Sequence, residues 1–571
     1  MRQAIVATGK VPASQIDLTA PKPNIPADLA FPAFRAAKEL GVNPAQLAQE
    51  LAAAIVPAPN GLLGGVAAAG PFLNFTINAE KLAQDVLGEV HRLGKRYGGD
   101  DLGAGATVLV EYSSPNVAKR MHVGHIRTTI IGQSLFNIIA ALGYHTVSDN
   151  HLGDWGKQFG ITLLAIEREG KPTGAGEDAV AELEVLYARY AALVKGDPAL
   201  DEAARSWSLR LEQGDAQARE LWAWCVALTM GYITPLYNRL GVHFDTVHGE
   251  SFFEDKMQPV IDAALAQEIA YRDDKGAVVV EELEKLPTFL LQRTDGGTLY
   301  LTRDVATVAF REAEYHPQKM VYIVDARQEL HFRQVFALAR ALGLAQGAEL
   351  THITFGIVSD RNGEPLSTRK GNMIYLQSLL DEAHTRARAV VDQASRDLSD
   401  GEKERIAEAV GIGAVIYNDL YQDPKRNIMI DWDKMLALEG NSAPYIQYMH
   451  ARCRSILRKA SEEEAGTGRR LTADEAEHVL LLAHPAEIGV IKQLAKLPDA
   501  VREAGSRYAP FVIADWCYEA ARALAAFYRD CPVLKAATPE LRSARLYLVA
   551  ATAQALENGL GLLGIRAPER M

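Results

Sequence analysis

Apolar residues follow two different spacings in the region after residue 106. The segment TVLVEY, which begins at Thr107, is a short β-branched run, and the turn SSPN follows it. The next segment, HIRTTIIGQSLFNIIAALG, has helical spacing and ends at Gly143, a residue suited to a left-handed helix terminus. The strand-like HTVSDN comes next. This order predicts two parallel strands joined by a helix, and such a sheet binds ligands at the carboxyl ends of its strands.

The spacing of apolar residues is different before and after this strand–helix–strand segment. Before residue 104, helical patterns surround one alternating segment, PFLNFTIN, which predicts a small α+β domain. We interpret a long helical stretch at about 179–240 as an insertion in the parallel-sheet domain. Strand-like segments return at 277–282, 289–293, 320–325 and 352–358, and after about Tyr375 nearly all spacing is helical.

We therefore predict an α/β protein. A Rossmann-like parallel-sheet domain with a helical insertion follows an N-terminal α+β domain and precedes a C-terminal all-α helical bundle. The predicted boundaries are 1–104, then 105–380 with the insertion at about 165–285, a helical connector at 381–435, and the bundle at 436–571. A chain of 571 residues accommodates about four domains of roughly 150 residues each.

The amino-acid composition is typical of a soluble globular protein. Apolar residues make up 48% and charged residues 23%, which excludes a disordered chain. There are 72 acidic and 60 basic residues, so the formal net charge is −12 and no uniform basic field attracts nucleic acid. Any RNA contact must depend on local basic strips.

The cysteines and the apolar runs indicate the compartment. The four cysteines lie far apart and form no C-x-x-C pair, which argues against a zinc knuckle or a disulfide framework. The N-terminal sequence lacks an apolar core of signal-peptide length, and no run approaches the roughly 20 apolar residues of a membrane span. We expect a cytoplasmic protein without a membrane partner.

The most informative chemistry lies where the predicted helix begins. His122 and His125 are three residues apart, so their rings share one face near a helix N-terminus, which favours an anion such as a triphosphate. Two imidazoles can donate hydrogen bonds to phosphoryl oxygens, and Gly124 lets a nucleoside approach the backbone closely. A surface pair or a partial metal site explains the spacing equally well, although the sequence singles out no third ligand.

The surrounding residues resemble one enzyme family. HVGH after SSPN is similar to the His-x-Gly-His signature of class I aminoacyl-tRNA synthetases. EYSSPNVAKRMHVGHIR and DNHLGDWGKQFG resemble the arginyl-tRNA synthetases in particular. Further similar blocks are YLTRD, YIVDARQELHF, LSTRKGN, NSAPYIQYMHARCRSILR and LLGIRAPERM. Together they sample the chain from about residue 70 to its end.

The resemblance implies a site for the amino acid arginine. A guanidinium is a planar, permanent cation that needs carboxylates and oriented acceptors. By resemblance, Asp304 and Glu250 face the guanidinium, Tyr300 and Gln328 shape the pocket, Asn116 holds the amino-acid end, and Glu111 lies beside the substrate.

Ordinary structural roles compete with these assignments. Asp304 could lie in the first turn of a helix that Thr302 caps, where a carboxylate is favoured by the helix dipole. Asp325 and Gln328 have the spacing of a capping box, and Glu250 could be a solvated loop acid. These alternatives remain open at the level of sequence.

The second class I signature, a lysine-rich loop, departs from its usual form. The matching stretch is PLSTR, in which Pro365 and Thr368 occupy the two lysine positions. The resemblance implies that Ser367 and Thr368 contact ATP together with the histidine turn and Gly124. We expect Arg369, Lys370 or Lys119, three residues before His122, to supply the charge that neutralises the pyrophosphate. A solvated basic turn is the alternative.

Two regions resemble tRNA-binding domains. In the C-terminal bundle, Arg452 and Arg458 lie on a helix with Tyr445 and Tyr448, so cations can hold phosphates and aromatic faces can stack on unpaired bases. The N-terminal unit resembles the domain that reads the outer corner of tRNA, and its candidate contacts are Phe72, Asn74 and Asn78. Each aromatic residue could equally be part of a core.

The family resemblance implies a complete reaction. We expect ATP, bound with Mg²⁺, to activate L-arginine to arginyl-adenylate, and the arginyl group to pass to the terminal adenosine of tRNA(Arg). We expect a monomer without a structural metal. The alternatives are a small-molecule nucleotidyltransferase, which also uses a His-x-Gly-His helix start, and an inert tRNA-binding paralogue.

Overall fold

The βαβ unit predicted from the sequence lies in one of two compact units. The computed structural model describes residues 1–22, 24–359, 364, 366, 373–394, 397–465 and 478–571. The first unit comprises Met1–Tyr97, Arg452–Lys496 and Glu519–Ala555, and the second comprises Gly98–Ala451, Leu497–Tyr518 and Leu556–Met571. All residues of the predicted active site outside the signature loop belong to the second unit.

Each segment that the sequence predicts to be a strand contains or overlaps a strand of the structure. The strands are β1 (Leu29–Pro32), β2 (Leu63–Ala69), β3 (Phe72–Ile77), β4 (Thr107–Glu111), β5 (His145–Asp149), β6 (Tyr271–Arg272), β7 (Val278–Val280), β8 (Phe289–Gln292), β9 (Lys319–Ile323), β10 (Glu349–Ile353), β11 (Val358–Ser359) and β12 (Ile428–Met429).

Helices make up most of the rest of the described chain. They are α1 (Arg2–Ala7), α2 (Phe34–Leu40), α3 (Pro44–Ala54), α4 (Ala79–Leu93), α5 (Val123–Ala141), α6 (Lys157–Glu169), α7 (Gly176–Gly196), α8 (Pro198–Glu212), α9 (Ala216–Leu240), α10 (Met257–Ala266), α11 (Tyr300–Tyr315), α12 (Glu329–Ala341), α13 (Leu376–Ala394), α14 (Asp400–Leu420), α15 (Trp432–Met435), α16 (Ala443–Ala465), α17 (Pro485–Leu494), α18 (Leu497–Arg507), α19 (Phe511–Asp530) and α20 (Pro539–Leu562). Among the residues searched, none of these helices combines the length and the apolar character that a membrane span requires.

The central sheet confirms the predicted fold class. Its order is β10–β9–β4–β5, and every neighbouring pair is parallel. Val108, Leu109 and Val110 of β4 are fully buried, as expected for a parallel strand covered on both faces. Helix α5 connects β4 to β5 and packs closely, because a Cβ atom at Gly132 would lie only 2.2 Å from Cγ of Tyr112. All four strands therefore end at the same edge of the sheet.

The N-terminal region has the predicted α+β composition. Strands β1, β3 and β2 form an antiparallel sheet in that order. Leu73 and Phe75 of β3 are fully buried with Phe31 of β1. Gly70, at φ +59°, forms the tight connection between β2 and β3, a conformation that glycine adopts without strain.

The helical insertion consists of separate helices. The stretch predicted at about 179–240 contains α7, α8 and α9. Pro198 and Gly214 mark the breaks, and Asp197 and Asp215 cap the helices that follow by accepting hydrogen bonds from backbone amides. An antiparallel sheet of β6, β7 and β8 comes after α10.

One short strand lies in the region expected to be entirely helical. Strand β12 has only two residues and pairs in parallel with β11, with Val358 opposite Ile428. Two residues cannot establish a periodicity of two, so the sequence pattern does not reveal them.

A buried ion pair joins α5 to the helical region. Arg127 is fully buried, and its Nε and Nη2 atoms donate to Asp419 of α14 at 2.8–3.0 Å. Nη1 donates to the carbonyl oxygen of Arg426, and Nη2 also donates to that of Pro424. Burial raises the pKa of Asp419, and the guanidinium beside it opposes that change. The pair is stable because both ions have their hydrogen bonds satisfied.

Replacing Asp419 by asparagine should strongly destabilise the second unit. The substitution leaves the charge of Arg127 buried without its counter-ion, which costs about 3–5 kcal/mol. Urea-induced unfolding followed by tryptophan fluorescence measures the change. Glu382→Gln on α13 is the control, because its pair with Arg386 is exposed and is worth less than about 1 kcal/mol. Equal effects of the two substitutions would contradict the prediction.

Candidate active site

The connection between β4 and α5 has a strained backbone. Ser113, Ser114 and Ala118 have φ values of 73°, 48° and 63°, in the left-handed region that residues other than glycine rarely adopt. Side chains hold the amides of this segment. Thr128 accepts from Ser113, Asn150 accepts from Ser114, and Thr229 accepts from Ala118, at 3.0–3.1 Å. Strain that is held in this way is typical of functional sites.

The two predicted histidines cap helix α5. Nδ1 of His122 accepts from the amide of Gly124, and Nδ1 of His125 accepts from the amide of His122, both at 3.1 Å. A neutral imidazole that accepts at Nδ1 carries its proton on Nε2. The rings stack with centroids 3.9 Å apart. The imidazole Nε2–H groups therefore serve as donors, whereas these backbone amides are already engaged.

Gly124 is required for this arrangement. A Cβ atom there would lie 2.8 Å from Cε1 and 3.0 Å from Nδ1 of His122. The sequence suggested that Gly124 leaves room for a nucleoside, and the structure shows that it leaves room for the His122 ring.

Burial keeps both rings neutral. The pKa of His125 is lowered to about 3, chiefly by burial and also by the neighbouring His122 and Lys119. The pKa of His122 is also lowered, again chiefly by burial, although Glu184 opposes the change. At neutral pH these residues are therefore hydrogen-bond donors and not cations.

Lys119 is the cation beside the histidine pair. Its Nζ lies 5.1 Å from the centroid of the Tyr187 ring, and burial lowers its pKa while Glu184 raises it. The structure thus brings Lys119, His122 and His125 together, as the sequence predicts.

The chain after the second signature returns to this helix. Ser367, Thr368, Arg369 and Lys370 lie outside the described residues. Beyond them, Ile374 accepts from the amide of Val123 at 3.0 Å, and Leu376 donates to Met121 at 2.9 Å.

Glu250, Tyr300 and Asp304 are brought close together. Burial raises the pKa of Glu250 to about 7, with Arg303 opposing it and Asp304 contributing to the rise. Asp304 is hydrogen-bonded to Nε2 of His331. Helix α11 begins at Tyr300, and Thr302 donates to the carbonyl oxygen of Leu291 and does not cap it. Asp304 is therefore beyond the first turn, so helix capping does not explain it.

Glu111 has an internal partner. Its Oε2 lies 2.6 Å from Nη2 of the buried Arg311, which also donates to Asp149 at 2.7 Å. The carboxylate that was predicted to lie beside the substrate is thus engaged by an arginine of the protein itself.

Asn116 lies in a loop of the second unit, and Gln328 ends a short 3-10 helix there. The backbone of Asn116 pairs with that of Gly153, where a Cβ atom would lie 2.4 Å from Oδ1 of Asn116. Gln328 is exposed and directly precedes α12. Asp325 caps the turn at 326–328 by accepting from the amide of Arg327. The amide of Gln328 donates to the backbone oxygen of Asp325, so this is not the side-chain bond of the capping box that the spacing suggested.

The predicted tRNA contacts lie in the first unit. Phe72 is half-buried, with the ring of Phe34 at 5.7 Å. Asn74 is buried in β3, and Asn78 caps α4 by accepting from Lys81. On α16, the guanidinium of Arg452 stacks 3.4 Å from the centroid of the Tyr528 ring, and Arg458 is half-buried. The RNA roles of these residues stay predictions.

Comparison with known families agrees with this geometry. Residues 91–432 match the catalytic domain of "tRNA synthetases class I (R)", residues 446–571 match the DALR anticodon binding domain, and residues 1–77 match the arginyl tRNA synthetase N terminal domain. The chain belongs to the arginyl-tRNA synthetase family. The predicted family, enzyme class and fold class are thereby confirmed.

Individual relatives match all or nearly all of the chain. The arginine–tRNA ligase of Chloroflexus aggregans is 60% identical over 571 residues, which is 100% of this chain and 98% of the relative. That of Halothermothrix orenii is 36% identical over 552 residues, covering 96% and 94%. The solved arginyl-tRNA synthetase of Thermus thermophilus superposes with a TM-score of 0.79 at 27% identity and covers 100% and 99%.

Sequence reasoning missed the charged partners inside this synthetase site. Arg303, Arg311 and His331 all contact predicted carboxylates. A weak signal exists for Arg303, because it is three residues after Tyr300 and so shares a helix face with it. Arg311 and Glu111 are far apart in sequence, and no local pattern links them.

The His125 ring should remain neutral at pH 5. An ordinary imidazole with a pKa of about 6.5 is mostly protonated there. The buried ring should instead show the Nε2–H tautomer by ¹⁵N NMR of the histidine side chains. His125→Gln identifies the signal, and a charged ring at pH 5 would contradict the burial argument.

Gly124→Ala should disable the site without unfolding the synthetase. The new methyl group displaces the His122 ring, and loss of one such donor lowers a rate by about 10²-fold. ATP–pyrophosphate exchange measures the loss. Gly231→Ala is the control, since a Cβ atom there meets nothing within 4 Å and alanine favours the helix. Similar loss in both variants would point to a general packing defect.

Proposed function

We propose that this chain activates L-arginine with ATP and transfers the arginyl group to the terminal adenosine of tRNA(Arg). In the first step the carboxylate of arginine forms a bond to the α-phosphorus of ATP, and the bond to the pyrophosphate leaving group breaks. In the second step a ribose hydroxyl of the tRNA attacks the arginyl carbonyl and releases AMP. Neither step requires a nucleophile of the protein.

The acidic pocket carries this proposal. Glu250 and Asp304 lie close together, and Oε2 of Glu250 is buried without a hydrogen-bond partner among the described residues. A buried carboxylate oxygen without a donor is costly, and an incoming guanidinium supplies donors of the right charge and planar shape. Tyr300 is largely exposed on the same helix and completes the pocket.

The histidine pair supports a role at the phosphates. Two neutral Nε2–H donors can stabilise the charge that develops on the α-phosphate without binding the leaving group as permanent cations would. Lys119, beside them, supplies a cation for the pyrophosphate, with Arg369 and Lys370 as the proposed partners from the signature loop. Ser367, Thr368 and Gly124 belong to the proposed ATP site.

Magnesium fits this site as part of the ATP complex. Among the described residues, no cluster of three or more His, Cys, Asp or Glu side chains is arranged to hold a metal ion. An ion held mainly by phosphate oxygens and water needs no such cluster. When bound there, Mg²⁺ neutralises phosphate charge.

A monomer in the cytoplasm is part of the proposal. The four cysteines are buried free thiols, which are typical of a reducing compartment. Sedimentation of the purified chain at the monomer mass of 62.2 kDa tests the oligomeric state.

ATP–pyrophosphate exchange with each amino acid, with and without tRNA(Arg), tests the function. Exchange should depend on arginine. A nucleotidyltransferase would use a substrate that is not an amino acid, and an inert paralogue would bind tRNA without exchange. Exchange driven by another amino acid contradicts the assignment.

Asp304→Asn should raise the KM for arginine by roughly 30-fold, because one charge facing the guanidinium is lost. The KM for ATP should change by less than about twofold. Asp295→Asn is the matched control, since Asp295 is an exposed loop acid paired with Arg293. An unchanged KM for arginine in Asp304→Asn places the pocket elsewhere.

A further inference from the structure

The acidic pocket already contains an arginine of the protein. Arg303 of α11 lies between Tyr300 and Asp304 in sequence, and only 6% of its side chain is exposed. Its Nη1 atom lies 3.4 Å from Oε1 of Glu250, and its guanidinium carbon lies 5.4 Å from the centroid of the Tyr300 ring. Its Nε atom is buried without a hydrogen-bond partner in the described part of the chain.

The two carboxylate oxygens of Glu250 face different surroundings. Oε1 faces Arg303, whereas Oε2 is buried and has no partner among the described residues. A carboxylate can accept from two guanidinium groups, one at each oxygen. One oxygen of Glu250 is therefore engaged by the protein, and the other lacks a hydrogen-bond donor among the described residues.

The other charged groups near Glu250 differ in their hydrogen-bond partners and in their effect on its ionisation. Asp154 accepts from the amide and the hydroxyl of Ser251 at 2.9 and 2.6 Å, and Asp304 is bonded to His331. His151 and Arg303 favour the ionised form of Glu250, whereas Asp154 and Asp304 oppose it. Arg303 is the permanent cation of this group, because an arginine stays protonated while a histidine titrates.

Burial alone would neutralise Glu250 at physiological pH. Even with Arg303 present, burial raises the pKa of Glu250 to about 7. Removing Arg303 leaves burial and two neighbouring anions without that cation, so the pKa must rise further. A protonated carboxyl group is neutral and cannot form an ion pair with a guanidinium.

We infer that Arg303 is a positioning residue for the amino-acid substrate, which holds Oε1 of Glu250 and keeps this carboxylate ionised so that Oε2 accepts the substrate guanidinium. This inference rests on the proposed function, because it assumes that the ligand is arginine. Arg303 acts through Glu250 and need not touch the substrate.

The pH dependence of arginine use separates this role from a purely structural one. In the unmodified enzyme, kcat/KM for arginine should fall as the pH drops through about 7, because Glu250 becomes protonated. In Arg303→Met this fall should occur at least about one unit higher, so that KM for arginine at pH 7.5 rises at least roughly threefold and recovers towards pH 9. A structural defect would lower activity at every pH alike.

Further variants complete the experiment. Arg303→Lys keeps a cation, and its profile should stay within about half a unit of the unmodified one. In Glu250→Gln, the fall of kcat/KM for arginine through about pH 7 should disappear. Arg340→Met removes an exposed arginine paired with Glu284 and should leave the profile unchanged. Circular dichroism checks that each variant is folded, and kcat/KM for ATP is measured in parallel.

The results of these experiments test the role of Arg303 separately from the proposed function on which it rests. No arginine-dependent exchange in the unmodified enzyme, with tRNA(Arg) present, would overturn the proposed function. Normal exchange with the same pH profile in Arg303→Met would overturn the role of Arg303 alone. If Arg303→Met does not fold, Arg303→Gln replaces it. If kcat/KM for arginine still falls through about pH 7 in Glu250→Gln, Glu250 is not the titrating group, and the inference is overturned without any Arg303 variant.

Discussion

The ion triad of Glu111, Asp149 and Arg311 is the constraint on which the site depends. Glu111 ends β4, Asp149 ends β5, and Arg311 reaches both from α11. Burial raises the pKa of Asp149, but its hydrogen bonds and the charge of Arg311 lower it well below the usual range. Because two desolvated anions share one cation, α11 has little freedom to move relative to the ends of these strands.

The position of α11 determines the acidic pocket. The same helix carries Tyr300, Arg303 and Asp304, so the triad that attaches α11 to the sheet also orients these three side chains. Helix α5 is attached in a comparable way by Arg127 and Asp419. The triad and the Arg127–Asp419 pair are both buried, and each connects a helix of the site to another part of the second unit.

Charge is distributed differently in the two halves of the site. At the start of α5 the histidines are neutral donors because burial lowers their pKa values, whereas the acidic pocket contains several carboxylates around one guanidinium. The net charge of −12 is therefore no guide to the local chemistry. A cationic substrate and a polyanionic one require opposite environments, and the fold provides them on α11 and α5.

Local patterns predict the parallel-sheet class, the helical C-terminal region and the segments of the candidate site, because periodicity and motifs are local. His122, His125, Tyr300 and Asp304 were predicted in this way, and their roles stay predictions. Which charges meet depends on the packing of the folded chain. Glu111 turned out to bind Arg311, and Arg303 lies beside Glu250, because packing brings together side chains that are distant in sequence. The protonation states of the ionisable side chains depend on burial, which a local sequence pattern does not reveal.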